Sequence, residues 1–236
     1  MALFSQVNLM DPASPIQEEM LLFHDHAMVL LLGIFSFVAI LGIKIIFGKF
    51  SSRSILEAQT LETVWTIIPA LLLIWLALPS LRLLYLLDEQ NNSLITLKST
   101  GHQWYWNHEM AGPTEDQVKE ETVEDAPQGA VAVAVAPCTD SYMLVNGENF
   151  KLLEVDNRIS IPYNVNTLVI TTSADVLHAF TLPSAGMKMD SVPGRLNSMN
   201  LHLNSPGVFY GQCSEICGAN HSFMPIVVES LNIKDL

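Results

Sequence analysis

Two thiols, an imidazole and a thioether fall close together in the stretch Gly207-Val-Phe-Tyr-Gly-Gln-Cys213-Ser-Glu215-Ile-Cys217-Gly-Ala-Asn-His221-Ser-Phe-Met224-Pro225. Soft sulfur donors combined with imidazole select copper or zinc over magnesium or calcium, and a methionine as weak outer ligand is a habit of copper electron-transfer sites. Zinc favours four nitrogen or sulfur ligands without a thioether. A single cysteine would suit a mononuclear copper, whereas two permit thiolates that bridge a pair of metals. Sharing an electron across such a bridge reduces the bond-length change on reduction and makes electron transfer easy. The competing reading of Cys213 and Cys217 is a disulfide in an oxidising compartment.

On a helix, spacings of four, four and three would align these side chains on one face. The flanking runs look like strands, and Gly211, Gly218 and Pro225 punctuate the segment, so an interstrand loop is the expectation. Each copper also needs a nitrogen donor, and His221 supplies one. Asp175-Val-Leu-His178 follows the strand-like run Asn166 to Thr172 and offers the second. A lone histidine is ordinarily a satisfied structural residue; beside a loop short of one nitrogen, the metal role accounts for His178 better. Cys138 has no partner motif and reads as a small buried or loop residue.

The elements that must hold these residues divide into two regions. Of the 236 residues 50% are hydrophobic and only 15% charged, with a mean hydropathy of +0.32, against roughly 25% charged in an ordinary soluble domain. Ala27 to Ile43 and Thr63 to Leu81 carry no charge, and a membrane span needs about 17 to 25 mostly apolar residues. A buried soluble hairpin is the alternative, but little polar sequence separates the two runs. Ser14, Pro15 and Gln17 form a helix-start signature ahead of the first run. Pro69 and Pro79 lie in the second, as membrane helices tolerate. Residues 1 to 43 contain no Lys or Arg, whereas Lys44, Lys49 and Arg53 lie between the spans. Basic residues stay on the cytoplasmic or matrix side, so both ends face outward. Arg82 counts against this alone.

From Asp88 onward there are 18 acids and 7 bases, and the whole chain carries −13. This balance excludes a nucleic-acid surface. Short runs rich in Val, Ile, Thr and aromatics recur at Ser93 to Thr100, His102 to Trp106, Asn166 to Thr172, Val176 to Leu182, Leu196 to Leu203, Gly207 to Gly211 and Pro225 to Ser230. Such punctuation predicts an antiparallel sandwich or barrel. The reading is an N-terminal segment and helical hairpin over 1–90 and a β-domain over 91–236. An acidic insert around 111–137 reads as a solvated loop, with an Ala/Val part, Ala130 to Ala136, of unassigned conformation.

The chain resembles subunit II of cytochrome c oxidase, most closely the mitochondrial form. The resemblance runs through His24-Asp-His26, Glu62-Thr-Val-Trp65-Thr-Ile-Ile-Pro69, Leu78-Pro-Ser-Leu-Arg82, Gly101-His-Gln-Trp104-Tyr105-Trp106, Leu153-Glu-Val-Asp156-Asn-Arg158, Asp175-Val-Leu-His178, Pro193-Gly-Arg195-Leu-Asn and the ligand loop. It implies a two-helix transmembrane hairpin followed by an all-β cupredoxin-like Greek-key barrel that carries a dinuclear copper A centre. Cys213 and Cys217 would bridge the metals, and His178 and His221 would each bind one. Met224 and the Glu215 main-chain carbonyl would be weak outer ligands, with the Glu215 carboxylate on a magnesium ion shared with subunit I. The family passes electrons from reduced cytochrome c to haem a of subunit I, where oxygen is reduced and protons are pumped; the haems are not in this chain. Partners are then subunit I, the other oxidase subunits, cytochrome c and the lipid membrane.

By the same resemblance Trp104 is where electrons enter, although Trp104, Tyr105 and Trp106 would otherwise be core aromatics. Glu109, Asp140, Asp156 and Asp175 match positions near the docking face for the basic partner, where a negative field would speed association; the bland reading of the acids is solubility. Glu62 matches the entrance of a proton pathway, against a plain helix-start carboxylate that suits the dipole. The implied location is the mitochondrial inner membrane, with both termini and the copper domain in the intermembrane space, in preference to a bacterial plasma membrane. The insert is longer than in familiar animal forms and lies near the docking face. The competing function is a membrane-anchored copper-delivery or zinc-stabilised module. A quinol-oxidase subunit would lack the copper ligands, and a nitrous-oxide reductase would not need the helical hairpin.

Overall fold

The computed structural model describes residues 5–49, 53–54, 56–89, 92–112, 136–145 and 150–233. Among them, residues up to Glu18 and from Asp88 onward form one compact unit, and Glu19–Leu87 forms another. The N-terminal residues thus cluster with the β-domain rather than with the hairpin, which the sequence reading had placed together over 1–90. Main-chain pairing is the reason. The Ala13 N–H donates to Ser184 O at 2.8 Å, and Asn204 N–H donates to Ala13 O at 2.9 Å.

The helical unit consists of α1 (Pro15–Phe47) and α2 (Gln59–Asp88), the first turn of α1 and the last residue of α2 belonging to the β-unit. Helix α1 starts where its signature placed it: Ser14 Oγ accepts the Gln17 N–H at 3.1 Å, while its own hydroxyl donates to Ala185 O at 2.7 Å. At 1.5 Å per residue, either helix exceeds the roughly 30 Å hydrocarbon layer. Both helices are long and apolar enough to cross a membrane, and none of the apolar windows is buried inside the chain. Large side chains such as Phe35, Trp65 and Leu73 are exposed on them, as expected of helices solvated by lipid or by partner helices. Pro69 and Pro79 lie within α2.

The β-unit is built from β1 (Ile95–His102), β2 (Tyr105–Ala111), β3 (Ala136–Ser141), β4 (Ile159–Pro162), β5 (Thr167–Ser173), β6 (His178–Leu182), β7 (Met187–Ser191), β8 (Asn197–Leu201), β9 (Gly207–Gln212) and β10 (Pro225–Leu231). One sheet has the order β3-β2-β1-β5-β8, a second β4-β10-β9, and β6 and β7 form a ribbon. The expected all-β domain is present, but it is not wholly antiparallel. β1 runs parallel to β5, and β4 parallel to β10. A parallel neighbour needs a long crossover, and these crossovers carry β2 to β4 in one case and the β9 ligand strand in the other.

Strict alternation in β1 and β5 turns Ile95, Leu97, Val169 and Thr171 to the interior. Of these, Leu97 and Val169 meet Phe180, Leu182, Leu201, Ile226 and Val228 in one core, which also contains Cys213, Cys217 and Met224. The His102 to Trp106 run is not a single strand: Gln103 and Trp104 form the β1–β2 turn, joined by a cis peptide. The sequence reading passed over β3, β4 and β7. The last reads Met-Lys-Met-Asp-Ser, with alternation but no β-branched residue. The acidic insert, including the Ala/Val part, lies outside the described residues except at its ends.

Candidate metal centre

Three strand ends deliver the sulfur and nitrogen donors to one place. His178 opens β6, Cys213 follows the last residue of β9, and Met224 precedes β10. β9 and β10 pair antiparallel with Gln212 opposite Pro225, so one further step sets Cys213 across from Met224. The intervening loop is therefore a hairpin connection, as its glycines and proline foretold, with a single 3-10 turn at His221–Phe223. β6 is held against this loop by the Ser214 N–H, which donates to Ala179 O at 3.2 Å.

The ligand-type atoms of His178, Cys213 and Cys217 lie within 4.8 Å of one another, and all three residues are buried. Nδ1 of His178 is 3.9 Å from Cys213 Sγ, and Nδ1 of His221 is 3.5 Å from Cys217 Sγ. Met224 Sδ lies 3.5 Å from Cys217 Sγ, and the Glu215 carbonyl oxygen 3.3 Å from Cys213 Sγ. The two cysteines are free thiols. All six donors proposed from sequence and resemblance are thus gathered around two neighbouring sulfurs, with one imidazole on each.

The surroundings favour this arrangement. His178 has no exposed surface, and its ring lies edge-on to Trp106 with centroids 5.9 Å apart. On its other side is the Gly101 backbone. A Cβ at Gly101 would stand 2.8 Å from His178 Cδ2, so only glycine leaves room for the imidazole. Asp175 Oδ1 accepts from His178 Nε2 at 2.8 Å, which directs the Nδ1 lone pair toward the sulfurs. Burial pulls the His178 imidazole down, but its hydrogen bonds to Cys213 and Asp175 outweigh this and raise its pKa overall. Burial likewise pushes the Cys213 thiol up, yet His178 and the main chain at Ala179 and Glu215 bring it down to about 7. Cys217 is pushed up to about 12 by burial and by the charge of Cys213. Two adjacent thiolates repel each other, and a bound cation removes that penalty. The donor set, soft, buried and preoriented, therefore fits a dinuclear copper centre, and the thioether disfavours zinc.

Gln103 was not singled out in the sequence. Its Nε2 donates to Cys217 O at 2.7 Å, and its main-chain N–H to Asp175 Oδ2 at 2.6 Å, so one turn residue ties the ligand loop to the carboxylate behind His178. Trp106 Nε1–H donates to Met224 O at 3.2 Å. No sequence signal marked these links, because each joins residues distant in the chain. Trp104 lies against Gly218, where an added Cβ would meet its indole at 3.0 Å. Gly218 also has φ +132°, which side chains resist.

The four acids assigned to docking differ in their surroundings. Both oxygens of Glu109 pair with Lys98 Nζ at 3.2 Å. Asp140 accepts from Asn107 Nδ2 at 2.7 Å, and Asp156 from the N–H groups of Tyr142 and Asn157. Asp175 is engaged by His178, Gln103 and the Val176 N–H. Burial opposes its ionisation, but these bonds hold the carboxyl below the usual range. Glu62 sits in the first turn of α2, in the helical unit, which contains none of the metal ligands. Cys138 is exposed on β3 and donates to Asn107 Oδ1 at 3.0 Å, so it is not buried.

Comparison with known proteins agrees along the whole chain. The model for the periplasmic domain of cytochrome C oxidase subunit II matches residues 95–231, and that for its transmembrane domain residues 2–83. Cytochrome c oxidase subunit 2 of Albinaria caerulea is 56% identical, covering 100% of this chain and 97% of that protein. The subunit 2 of Choristoneura rosaceana is 49% identical, covering 100% and 96%. Among solved structures, the periplasmic domain of subunit II of cytochrome oxidase from Bradyrhizobium japonicum is 37% identical, covering 61% of this chain and 89% of that one, with a TM-score of 0.48. Family models over both regions and relatives of this identity leave one assignment: the chain belongs to the cytochrome c oxidase subunit II family.

Proposed function

We propose that this chain is the electron-receiving subunit of a cytochrome c oxidase. It accepts electrons from reduced cytochrome c and passes them to haem a of subunit I, where oxygen is reduced to water and protons are pumped. The observation that carries this reading is the pairing of each buried thiol with its own imidazole, Cys213 with His178 and Cys217 with His221. When bound, a dinuclear copper A centre supplies one-electron chemistry at low structural cost.

The chain's own residues do the rest. Asp175 holds His178 by Nε2 and leaves Nδ1 for the metal. Trp106 and the core around Met224 exclude water from the sulfurs, and low polarity there limits reorganisation. Trp104, against the ligand loop at Gly218, is the group through which electrons enter. Glu109, Asp140 and Asp156 present acceptors to a basic partner from β2, β3 and the segment before β4. The Glu215 carboxylate would hold magnesium with subunit I, and Glu62 would admit protons to a pathway continued there. The hydropathy of α1 and α2, with Lys44 in the last turn of α1 and Lys49 and Arg53 in the link to α2, supports a mitochondrial inner-membrane location with the β-unit in the intermembrane space.

The test is metal analysis and spectroscopy of the assembled oxidase. The expected result is two coppers in this subunit with a delocalised mixed-valence paramagnetic signal, lost in Cys217→Ser. Zinc in the site, or a signal from a single localised copper, would overturn the reading.

A further inference from the structure

Glu154 is a carboxylate with only 8% of its side chain exposed. Burial of such a charge is costly unless both oxygens are partnered, and here they are. The Tyr210 hydroxyl donates to Oε1 at 2.6 Å, and Arg158 Nη2 to Oε2 at 3.2 Å. Tyr210 is also braced by Phe150, edge-on at 5.7 Å between ring centroids. Tyr210 lies on β9, three residues before Cys213, so this cluster fastens the segment around Glu154 to the strand that delivers a ligand.

That segment zips onto the end of β3. The Leu144 N–H donates to Glu154 O at 2.8 Å, and the Asp156 N–H to Tyr142 O at 3.0 Å. Asp156 Oδ1 accepts the Tyr142 N–H at 2.8 Å in return. Asn157 Nδ2 donates to Asp140 O, and Ser141 Oγ to Asn157 O. Tyr142 then stacks on Tyr105 at 4.6 Å, and Tyr105 on His102 at 4.7 Å, so the stack reaches the two residues that flank the Gln103–Trp104 turn. A continuous set of contacts therefore runs from Tyr210 through Glu154 to Asp156, Tyr142 and the turn that carries Trp104.

We propose that Tyr210, Glu154 and Arg158 form a positioning cluster that holds Asp156 and Tyr142 in the arrangement that receives the basic electron donor. The proposal rests on the docking reading of Asp156 given above. Tyr210 does not meet the partner itself; it acts through Glu154 on the neighbouring carboxylate and on the stacked tyrosines. Removing the Tyr210 hydroxyl frees one carboxylate oxygen in a buried place. The segment then relaxes, and the donor meets a less ordered surface, while the metal ligands keep their places.

The test is steady-state kinetics of the assembled oxidase with cytochrome c at low and high ionic strength. Tyr210→Phe is expected to raise KM about three- to tenfold at low ionic strength, the equivalent of one ordinary net hydrogen bond, with kcat and copper content unchanged. Acting through Asp156, it should add nothing to Asp156→Asn, so the double variant should match Asp156→Asn alone. An unchanged KM in Tyr210→Phe beside a raised KM in Asp156→Asn overturns the positioning role and spares the docking reading. An unchanged KM in Asp156→Asn overturns both. Additive losses in the double variant also overturn the proposal. Should Tyr210→Phe lose copper, Glu154→Gln, which keeps an acceptor for the phenol and removes the charge facing Arg158, carries the same comparison.

Discussion

Oδ1 of Asp175 lies 2.8 Å from Nε2 of His178, on the far side of the imidazole from the two thiols. A residue that lines up with the docking acids is thus also the group that orients a metal ligand. Loss of such an outer partner commonly weakens a metal site 10- to 100-fold. Asp175→Asn is therefore expected to alter the copper spectrum and reduce turnover at every ionic strength. Asp156→Asn should leave the spectrum unchanged and weaken turnover chiefly at low salt, where charge steering operates. Stopped-flow reduction and paramagnetic spectra of the two variants, taken side by side, separate the roles. An Asp175→Asn loss confined to low salt would restore pure steering.

Gly101 leaves no room for a methyl group, since the nearest atoms all belong to the His178 side chain. Gly101→Ala must displace the imidazole or bend β1, and overpacking of this kind costs about 1–3 kcal/mol. The expected outcome is a lower melting temperature together with substoichiometric copper, measured by calorimetry and metal analysis. Full copper occupancy with an unshifted spectrum would show that the ring has space the structure does not reveal.

His108 is buried on β2, and among the described residues neither ring nitrogen has a hydrogen-bond partner. Burial lowers its pKa from 6.5 to about 3, with the Asp140 charge opposing weakly. Above pH 6.5 the imidazole is neutral in both folded and unfolded chains and has no effect on the pH dependence. Below that, the unfolded chain binds a proton that the folded chain refuses, so stability falls by about 1.4 kcal/mol per pH unit until the folded value is reached. Acid titrations of thermal stability should show this slope between pH 6 and 4 in the native oxidase and a shallower one in His108→Phe. Identical slopes would assign acid sensitivity to other groups.

Ser14 caps α1 and also donates to Ala185 O, in the turn that follows β6. Ser14→Ala removes both bonds, with about 1–2 kcal/mol expected from the cap. Hydrogen exchange in the oxidase should become faster at the Gln17 and Ala13 amides, while the ligand loop stays protected. Unchanged exchange at both amides would mean that the Ala13 main-chain pairs alone hold the segment.

Several features were legible in residue order because they are local. The two apolar runs, the Ser14–Gln17 cap and the strand alternation of β1 and β5 each follow from side-chain periodicity within one element. The ligand loop was legible too, since Cys213, Cys217, His221 and Met224 carry unusual donors at close spacing, and the missing nitrogen pointed outward to His178. The strands β4 and β7 escaped notice because they are short, and because Met, Lys and Asp say little about conformation. Tertiary structure alone decided the rest. The parallel pairing of β1 with β5, the docking of Ala13 beside Ser184 and Asn204, the grip of Gln103 on both Cys217 and Asp175, and the burial of Glu154 beneath Tyr210 all join residues far apart in the chain. Sequence spacing carries the chemistry of a donor set; which lone pair faces which sulfur depends on hydrogen bonds that exist only once distant strands have packed and water has been excluded.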